Sequence, residues 1–274
     1  MTSPNAVHHI AVSTADIKAQ IAFFSDVLGL SLAGLFWMHG VPNAWHAFLK
    51  MGEASFSFVF IPGNETKDVV MGQTHAGTGA GSSAPGTVQH IALNVDTMDD
   101  LLTLRDRIRS RGVPVFGPLD HGLCHSIYFA GPEDLTLEIA TSDQVTHPLD
   151  GQGTWIDSEV ASLAGISPEE LEQFKHPAAF EGQGGAIKQP AFDAEKPHLA
   201  YPEDTYLVML DMPDSAFKTK PEDQIPAGIG QHGSAASARH SLIAPPIQHR
   251  GTGLSRELRL SHVIVVRALT IDHR

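Results

Sequence analysis

The stretch that decides the fold is residues 88–142, which open with VQHIALNV at 88–95 and close with SIYFAGPEDLTLEIA at 126–140. Apolar and polar residues alternate with period two at both ends, and this pattern predicts a β-strand at each. His90 lies on the less apolar face of the first strand, and Glu138 lies on the less apolar face of the last. A carboxylate is costly to desolvate without a partner. Two interpretations follow: a bound cation pairs with these side chains, or this face of the sheet is open to water.

The start of the chain repeats the pattern. VHHIAV at 7–12 aligns with VQHIAL at 88–93, and His9 then falls in register with His90. The neighbouring His8 has the parity of the apolar residues and is expected to point toward the helix layer. Alternation of side chains along a strand therefore assigns His9, rather than His8, to the polar face.

Both copies continue in the same way. Thr14-Ala15-Asp16 and Thr97 are helix-start signals, and the amphipathic helix after each ends at Gly29 or Gly112. Three strand-like runs follow each helix, at 30–38, 44–51 and 54–61 in the first copy and at 113–119, 124–130 and 135–141 in the second. The sequence therefore contains a duplicated β-α-β-β-β unit.

The duplication divides the chain into five parts: a first module at 5–62, a Gly/Ser-rich linker at 63–86, a second module at 87–142, a C-terminal extension at 143–220 and a tail at 221–274. The linker composition predicts a flexible connection, so the modules can pair within one chain or exchange between two. In the extension, Ser167 and Pro168 predict the start of a short helix, and the rest is expected to be largely extended coil. The tail has six arginines and no lysine, and its composition predicts disorder.

Composition restricts the setting and the partners. The chain has 274 residues, 42% of them hydrophobic, with neither a membrane-spanning apolar run nor an N-terminal leader, so we expect no membrane partner. A single cysteine, Cys124, excludes a framework of internal disulfides and fits a cytoplasmic location. A net charge of −13 argues against nucleic acid as a partner, because phosphate binding depends on Lys and Arg.

Paired modules with a histidine on each first strand and a glutamate on a last strand resemble the vicinal oxygen chelate superfamily. This superfamily includes glyoxalases, extradiol ring-cleaving dioxygenases, epimerases and bleomycin-resistance proteins. The second module is most similar to the extradiol pattern, on the residues His121, Ile127-Tyr128, Gly131-Pro132 and Glu138. It departs from that pattern at Leu119, Gly131 and Asp134. The resemblance covers about residues 5–142 and implies an α+β fold, with two paired modules forming a curved mixed sheet around a metal cavity.

The resemblance implies three metal ligands: His9, His90 and Glu138. The last strand of the first module has no carboxylate, since Phe58 aligns with Glu138, whereas a glyoxalase-type site would have a fourth protein ligand there. Three ligands with open positions suit Fe(II), and Mn(II) or another divalent metal fits the same set. The alternative is that both histidines are ordinary polar strand residues.

Three residues are candidates for catalysis: His46, Tyr128 and His121. His46 lies on the third strand of the first module, where the extradiol pattern has its acid–base histidine a couple of residues earlier with the same parity. The Tyr128 hydroxyl can hydrogen-bond a bound substrate if its face lines the cavity; otherwise Tyr128 is a half-buried core residue. His121 begins the extradiol pattern and is the reserve candidate.

The function that the resemblance implies is an Fe(II) extradiol-type dioxygenase, which cleaves a catechol- or hydroquinone-like aromatic diol with O₂. We expect such a protein to be a homo-oligomer, with a dimer as the simplest form. Two alternatives remain: a glyoxalase-like isomerase, epimerase or lyase, and a small-molecule binding protein of the bleomycin-resistance type. Oxygen uptake separates the dioxygenase from both, and metal content separates the binding protein from the enzymes.

Overall fold

The computed structural model describes residues 3–217 and contains the β-α-β-β-β order twice. The first module consists of β1 (His9–Ser13), α1 (Ile17–Asp26), β2 (Ser31–Trp37), β3 (Trp45–Met51) and β4 (Ala54–Phe60). The second consists of β5 (Ile91–Asn94), α2 (Met98–Ser110), β6 (Phe116–Asp120), β7 (His125–Ala130) and β8 (Thr136–Thr141). Three further helices follow: α3 (Ser158–Leu163), α4 (Pro168–Lys175) and α5 (Glu203–Leu210). The predicted α+β class and the duplicated module are confirmed.

Each module has its own four-stranded mixed sheet, with the order β1-β4-β3-β2 in the first and β5-β8-β7-β6 in the second. The first strand of each module runs parallel to the last, and the last runs antiparallel to the third. The apolar faces of the strands and the helices form one core, to which both modules contribute. The polar faces of β5, β7 and β8 are thereby left on the side of the second sheet away from α2.

The strand register corrects one detail of the sequence alignment. Ala11 pairs with Ser57, and Ala92 pairs with Glu138. Because each alanine lies two residues after its module's strand histidine, Ser57 occupies the position of Glu138. Phe58, which the sequence aligns there, is fully buried in the core. A shift of one residue moves every side chain of a strand to the other face, so the correction replaces a core aromatic ring by a hydroxyl on the polar face.

The ends of the two module helices follow the sequence signals. The Asp16 and Thr97 side chains accept hydrogen bonds from first-turn backbone N–H groups, as N-caps do. Gly29 and Gly112 follow the C-termini with φ of 81° and 78°, a conformation that costs glycine little.

The second module caps the N-terminus of α1. The Glu133 carboxylate accepts hydrogen bonds from the backbone N–H groups of Ala15 at 2.6 Å and Asp16 at 3.3 Å, and from the Gln20 amide at 2.7 Å. Partial burial alone would raise the pKa of Glu133, but hydrogen bonds from Thr14, Gln20 and these backbone groups lower it. A negative charge at this position also interacts favourably with the positive end of the helix dipole.

The second module also caps the C-terminus of α1. The Arg107 guanidinium donates to the backbone carbonyls of Asp26 at 2.9 Å and Ser25 at 3.3 Å. Both carbonyls lie in the last turn of α1, where helical N–H partners run out; the Ser25 carbonyl also accepts from the backbone N–H of Gly29 at 3.0 Å. The two modules of one chain are therefore joined by hydrogen bonds at both ends of one helix.

The chain divides into two compact units, and the first contains nearly all of both modules. Within the described residues, the first unit contains 3–35 and 43–184, and the other contains 36–42 and 185–217. In the first unit, Ser167 caps α4 with Pro168 at its first position, as predicted. None of the helices within residues 3–217 is long and apolar enough to cross a bilayer. The predicted tail, residues 221–274, lies outside the described residues.

Candidate functional site

A buried carboxylate lies at the centre of the second sheet. Glu138 is only 4% exposed, and its Oε2 lies 2.9 Å from Nε2 of His90. The strand pairing produces this contact, because Glu138 is paired with Ala92 and His90 lies two residues earlier on the same face. We call the face of the second sheet that carries His90, Tyr128 and Glu138 the site face.

The other ring nitrogen of His90 determines the chemistry of the pair. His90 Nδ1 is hydrogen-bonded to the side-chain oxygen of Gln89, which can only accept, so Nδ1 carries a proton. In a neutral imidazole the lone pair is then on Nε2, and it faces the Glu138 carboxylate, which is also an acceptor. Two acceptors at 2.9 Å require a cation, either a proton or a metal ion. The donor set therefore fits a divalent metal.

Tyr128 lies beside Glu138 on the site face. The two residues are direct partners in the antiparallel pairing of β7 with β8, and the Tyr128 hydroxyl lies 3.2 Å from Nε2 of His121. Burial raises the pKa of Tyr128, and the charge of Glu138 and a hydrogen bond to it raise the pKa further. Tyr128 is therefore a protonated phenol at neutral pH, and the structure brings together Tyr128, His121, His90 and Glu138.

The C-terminal extension packs against the turn that carries His121. Gly122 has φ of 79°, and a β-carbon added there would lie 2.8 Å from the ring of Trp155. The Trp155 indole N–H donates to the carbonyl of His147 at 2.8 Å, which holds the ring in place. The backbone N–H of His121 in turn donates to the carbonyl of Cys124 at 2.9 Å. Trp155 could not be predicted from the sequence, because nothing in the spacing indicates a contact between the extension and this turn.

The linker between the modules lines the site face. A β-carbon at Gly79 would lie 3.2 Å from Cε1 of Tyr128, so the backbone of this glycine passes directly beside the ring. The Gln89 amide nitrogen donates to the carbonyls of Thr78 at 3.0 Å and Gly81 at 3.1 Å. The linker, which its glycines predict to be flexible, is bonded here to the residue that contacts His90.

His9 and His46 share a face of the first sheet. Each ring lies 5.8 Å from the ring of Phe48, which lies between them along that face. His46 is thus on the face that its parity predicts, and its catalytic role stays a prediction. His8, by contrast, does not point toward the helix layer: its Nδ1 lies 2.9 Å from Nδ1 of His9. β1 begins only at His9, so the alternation of a strand does not fix the direction of His8.

The three predicted metal ligands do not form one cluster in this structure. Among residues 3–217, no three side chains of His, Cys, Asp or Glu lie close enough together to hold a metal ion. His90 and Glu138 form the pair described above, and His9 is not added to them. The three-ligand set remains a prediction.

The equivalent position of the first module holds a different polar group. Ser57 is fully buried, and its hydroxyl has no hydrogen-bond partner among residues 3–217. Its pairing partner on β3 is Phe48. The first sheet thus offers an uncharged hydroxyl where the second offers a carboxylate.

The two modules together match one known protein superfamily. Residues 6–139 match the model of the Glyoxalase/Bleomycin resistance protein/Dioxygenase superfamily. This part of the chain is a domain of that superfamily. The match ends within β8, so the superfamily domain does not include the extension with Trp155.

Solved structures similar to this chain include a lactoylglutathione lyase from Agrobacterium tumefaciens, with 20% identity over 51% of this chain and 96% of that chain and a TM-score of 0.36. A glyoxylase/bleomycin resistance protein/dioxygenase domain from Frankia sp. has 14% identity over 51% of this chain and 99% of that chain, with a TM-score of 0.40. A fosfomycin resistance protein from Listeria monocytogenes, complexed with Mn(II) and sulfate, has 15% identity over 53% of this chain and 96% of that chain, with a TM-score of 0.36. No curated protein matches the sequence.

Proposed function

We propose that the superfamily domain is a metal-dependent oxidoreductase, an Fe(II) extradiol-type dioxygenase that cleaves a catechol- or hydroquinone-like diol with O₂. The observation that carries the proposal is the position of the Tyr128–His121 pair beside the His90–Glu138 pair. One pair suits a metal ion, and the other suits transfer of a substrate proton. Both belong to the second module.

His90 and Glu138 would hold the metal, with His9 as the third ligand. The facing acceptors of the pair support a cation at this place, because a buried carboxylate is stable only when its charge is compensated. Bound Fe(II) would supply the oxygen chemistry and bind the diol; Mn(II) or another divalent ion would use the same ligands.

The protein groups would handle protons. The raised pKa of Tyr128 keeps its hydroxyl protonated at neutral pH, so it can donate a hydrogen bond to a substrate oxygen. His121, 3.2 Å away, can accept a proton from the substrate or return one to it, since a neutral imidazole has one accepting and one donating nitrogen. His46 is the second candidate for this role and would act from the face of the first sheet.

The first module supports three ligands rather than four. Ser57 lies where a glyoxalase-type isomerase would place a second carboxylate, and a neutral hydroxyl is a much poorer ligand for a divalent ion. A three-residue set leaves positions open for a substrate and for O₂. This favours the dioxygenase over the isomerase.

Oxygen uptake by the purified full chain tests the proposal. The protein would be loaded with Fe(II) without air and offered a panel of catechols and hydroquinones in aerated buffer. We expect consumption of one O₂ per diol and formation of a ring-opened, strongly coloured product. Conversion at the same rate without O₂ would instead support the isomerase, and a protein that binds ligands but no metal would support the binding protein.

A further inference from the structure

We propose that Gln89 is a positioning residue that fixes the tautomer of His90 and connects the linker to the site face. The inference rests on the proposed function for its purpose, which is to keep His90 Nε2 available as a ligand. Its evidence is independent of that function, because it comes from the hydrogen bonds of one amide group.

The orientation of the Gln89 amide is determined by its partners. Its nitrogen faces the carbonyl oxygens of Thr78 and Gly81, at 3.0 and 3.1 Å. Carbonyl oxygens only accept hydrogen bonds, so the group facing them must be the NH₂, and both of its protons are used. The amide oxygen must then be the atom that faces His90.

The amide oxygen in turn determines the state of His90. It can only accept, so His90 Nδ1 must donate, and the neutral ring carries its proton there. Nε2 is left with its lone pair directed at the Glu138 side, 2.9 Å from the carboxylate. Residues that bond the second nitrogen of a ligand histidine orient the ring and raise its basicity, and their loss typically weakens metal binding about 10–100-fold.

The linker is what holds this amide. Thr78 and Gly81 lie on either side of Gly79, whose backbone passes beside the Tyr128 ring. One short linker segment therefore contacts Tyr128 directly and His90 through Gln89. A substitution in the linker at 78–81 should therefore affect the positions of both Tyr128 and His90.

The test begins with the metal-free protein. Nitrogen-15 NMR of histidine-labelled chain at pH 8 reports which ring nitrogen of His90 carries a proton, with the signal assigned by its absence in His90→Ala. We expect a proton on Nδ1 in the wild type, with any second proton shared between Nε2 and Glu138. In Gln89→Leu, which has a similar volume and no acceptor, Nδ1 should lose its proton and leave the ring protonated on Nε2 alone, the tautomer that an unrestrained imidazole favours.

Two further variants separate the roles of the amide. Gln89→Glu keeps an acceptor for Nδ1 but loses both donors to the linker, so the proton should stay on Nδ1 while amide protons near 78–81 exchange faster with solvent. Gln152→Leu, at an exposed glutamine, is the matched control and should change neither measurement. Co(II) affinity should fall about 10–100-fold in Gln89→Leu alone.

A wild-type Nδ1 without a proton would overturn the proposal, as would an unchanged His90 signal in Gln89→Leu. The proposed function can fail separately. A wild type that binds no Co(II) but shows the Nδ1 proton and its shift in Gln89→Leu would contradict the metal site and still support the role of Gln89.

Discussion

The two modules share a topology and a strand register, yet only the second has a carboxylate at the central position of its last strand. Ala11 pairs with Ser57 in the first sheet as Ala92 pairs with Glu138 in the second. At this one position, a fully buried hydroxyl without a partner is replaced by a buried carboxylate beside His90. The fold therefore requires only the apolar alternation, which both modules keep. The charge on the opposite, polar face can differ between the two sheets.

The surroundings of the two positions differ accordingly. Each position has a histidine two residues before its alanine partner, His90 or His9, but the partner on the third strand is Tyr128 for Glu138 and Phe48 for Ser57. A buried charge needs such neighbours, because an uncompensated carboxylate is expensive to desolvate. A buried serine costs far less, so the first module tolerates the apolar ring of Phe48 where the second has the Tyr128 phenol.

The largest effect is expected from the group that distinguishes the second module in catalysis. Tyr128→Phe removes a proton donor but keeps the ring, so oxygen uptake should fall by about 10²–10⁴-fold while metal content stays that of the wild type. Uptake is to be measured on a confirmed diol substrate. Tyr201→Phe, an exposed tyrosine of the other unit, is the control.

His46→Ala gives the corresponding test in the first module. If the Tyr128–His121 pair handles the substrate proton alone, uptake should change by less than about tenfold; a loss equal to that in Tyr128→Phe would show that both modules supply acid–base groups. Wild-type turnover in Tyr128→Phe would remove the assigned role from the second module.

A smaller effect is expected where the modules are joined. Glu133→Gln removes the charge that caps α1, and at neutral pH it should lower the free energy of unfolding by about 1 kcal/mol. The folded-state pKa of Glu133 is lowered, so its contribution is fully present above the ordinary glutamate pKa and is lost as the pH falls through the lowered one. Urea unfolding at several pH values measures this.

The difference between wild type and Glu133→Gln should therefore vanish in acid. Glu53→Gln, at an exposed glutamate, should show no such difference at any pH. A difference that persists unchanged below the lowered pKa would mean that the charge of Glu133 does not stabilise the folded chain.

Ser57→Ala should leave the free energy of unfolding unchanged or raise it slightly. It removes a buried hydroxyl that has no partner, which is neutral or stabilises by up to about 1 kcal/mol. Calorimetry should show an unchanged or slightly higher Tm. A clear destabilisation would show that the hydroxyl has a stabilising role in the first sheet.

The smallest effect is expected from removing the tail. Truncation after Lys220 should leave Tm and metal content unchanged, because the sequence beyond it has little pattern for burying a core. Loss of soluble protein would instead identify the tail as a structural or oligomer-forming arm.

Much of this architecture could be predicted from the sequence, because it depends on local periodicity. The alternation at 88–95 and 135–141, the N-caps Asp16 and Thr97, and the stops at Gly29 and Gly112 each have a signal within a few residues. The duplication then placed His90 and Glu138 on one face, as the structure has them.

What could not be predicted depends on register and on distant segments. Alternating Ser and Phe in β4 fits two alignments, and only the pairing of Ala11 with Ser57 decides between them. Gln89, Glu133 and Trp155 act through bonds or contacts to loops and to another module, for which a single sequence has no spacing rule.

The most direct test of the central claim is the metal content of matched variants at the equivalent positions of the two modules. Wild type, Glu138→Ala, His90→Ala and Ser57→Ala would be purified, reconstituted with Fe(II) or Mn(II), checked for folding by circular dichroism and measured by elemental analysis. We predict about one metal ion per chain in wild type and Ser57→Ala, and almost none in Glu138→Ala and His90→Ala, because a site that loses one of its few ligands holds the ion weakly. Full metal content in both second-module variants would contradict the account and place the site elsewhere.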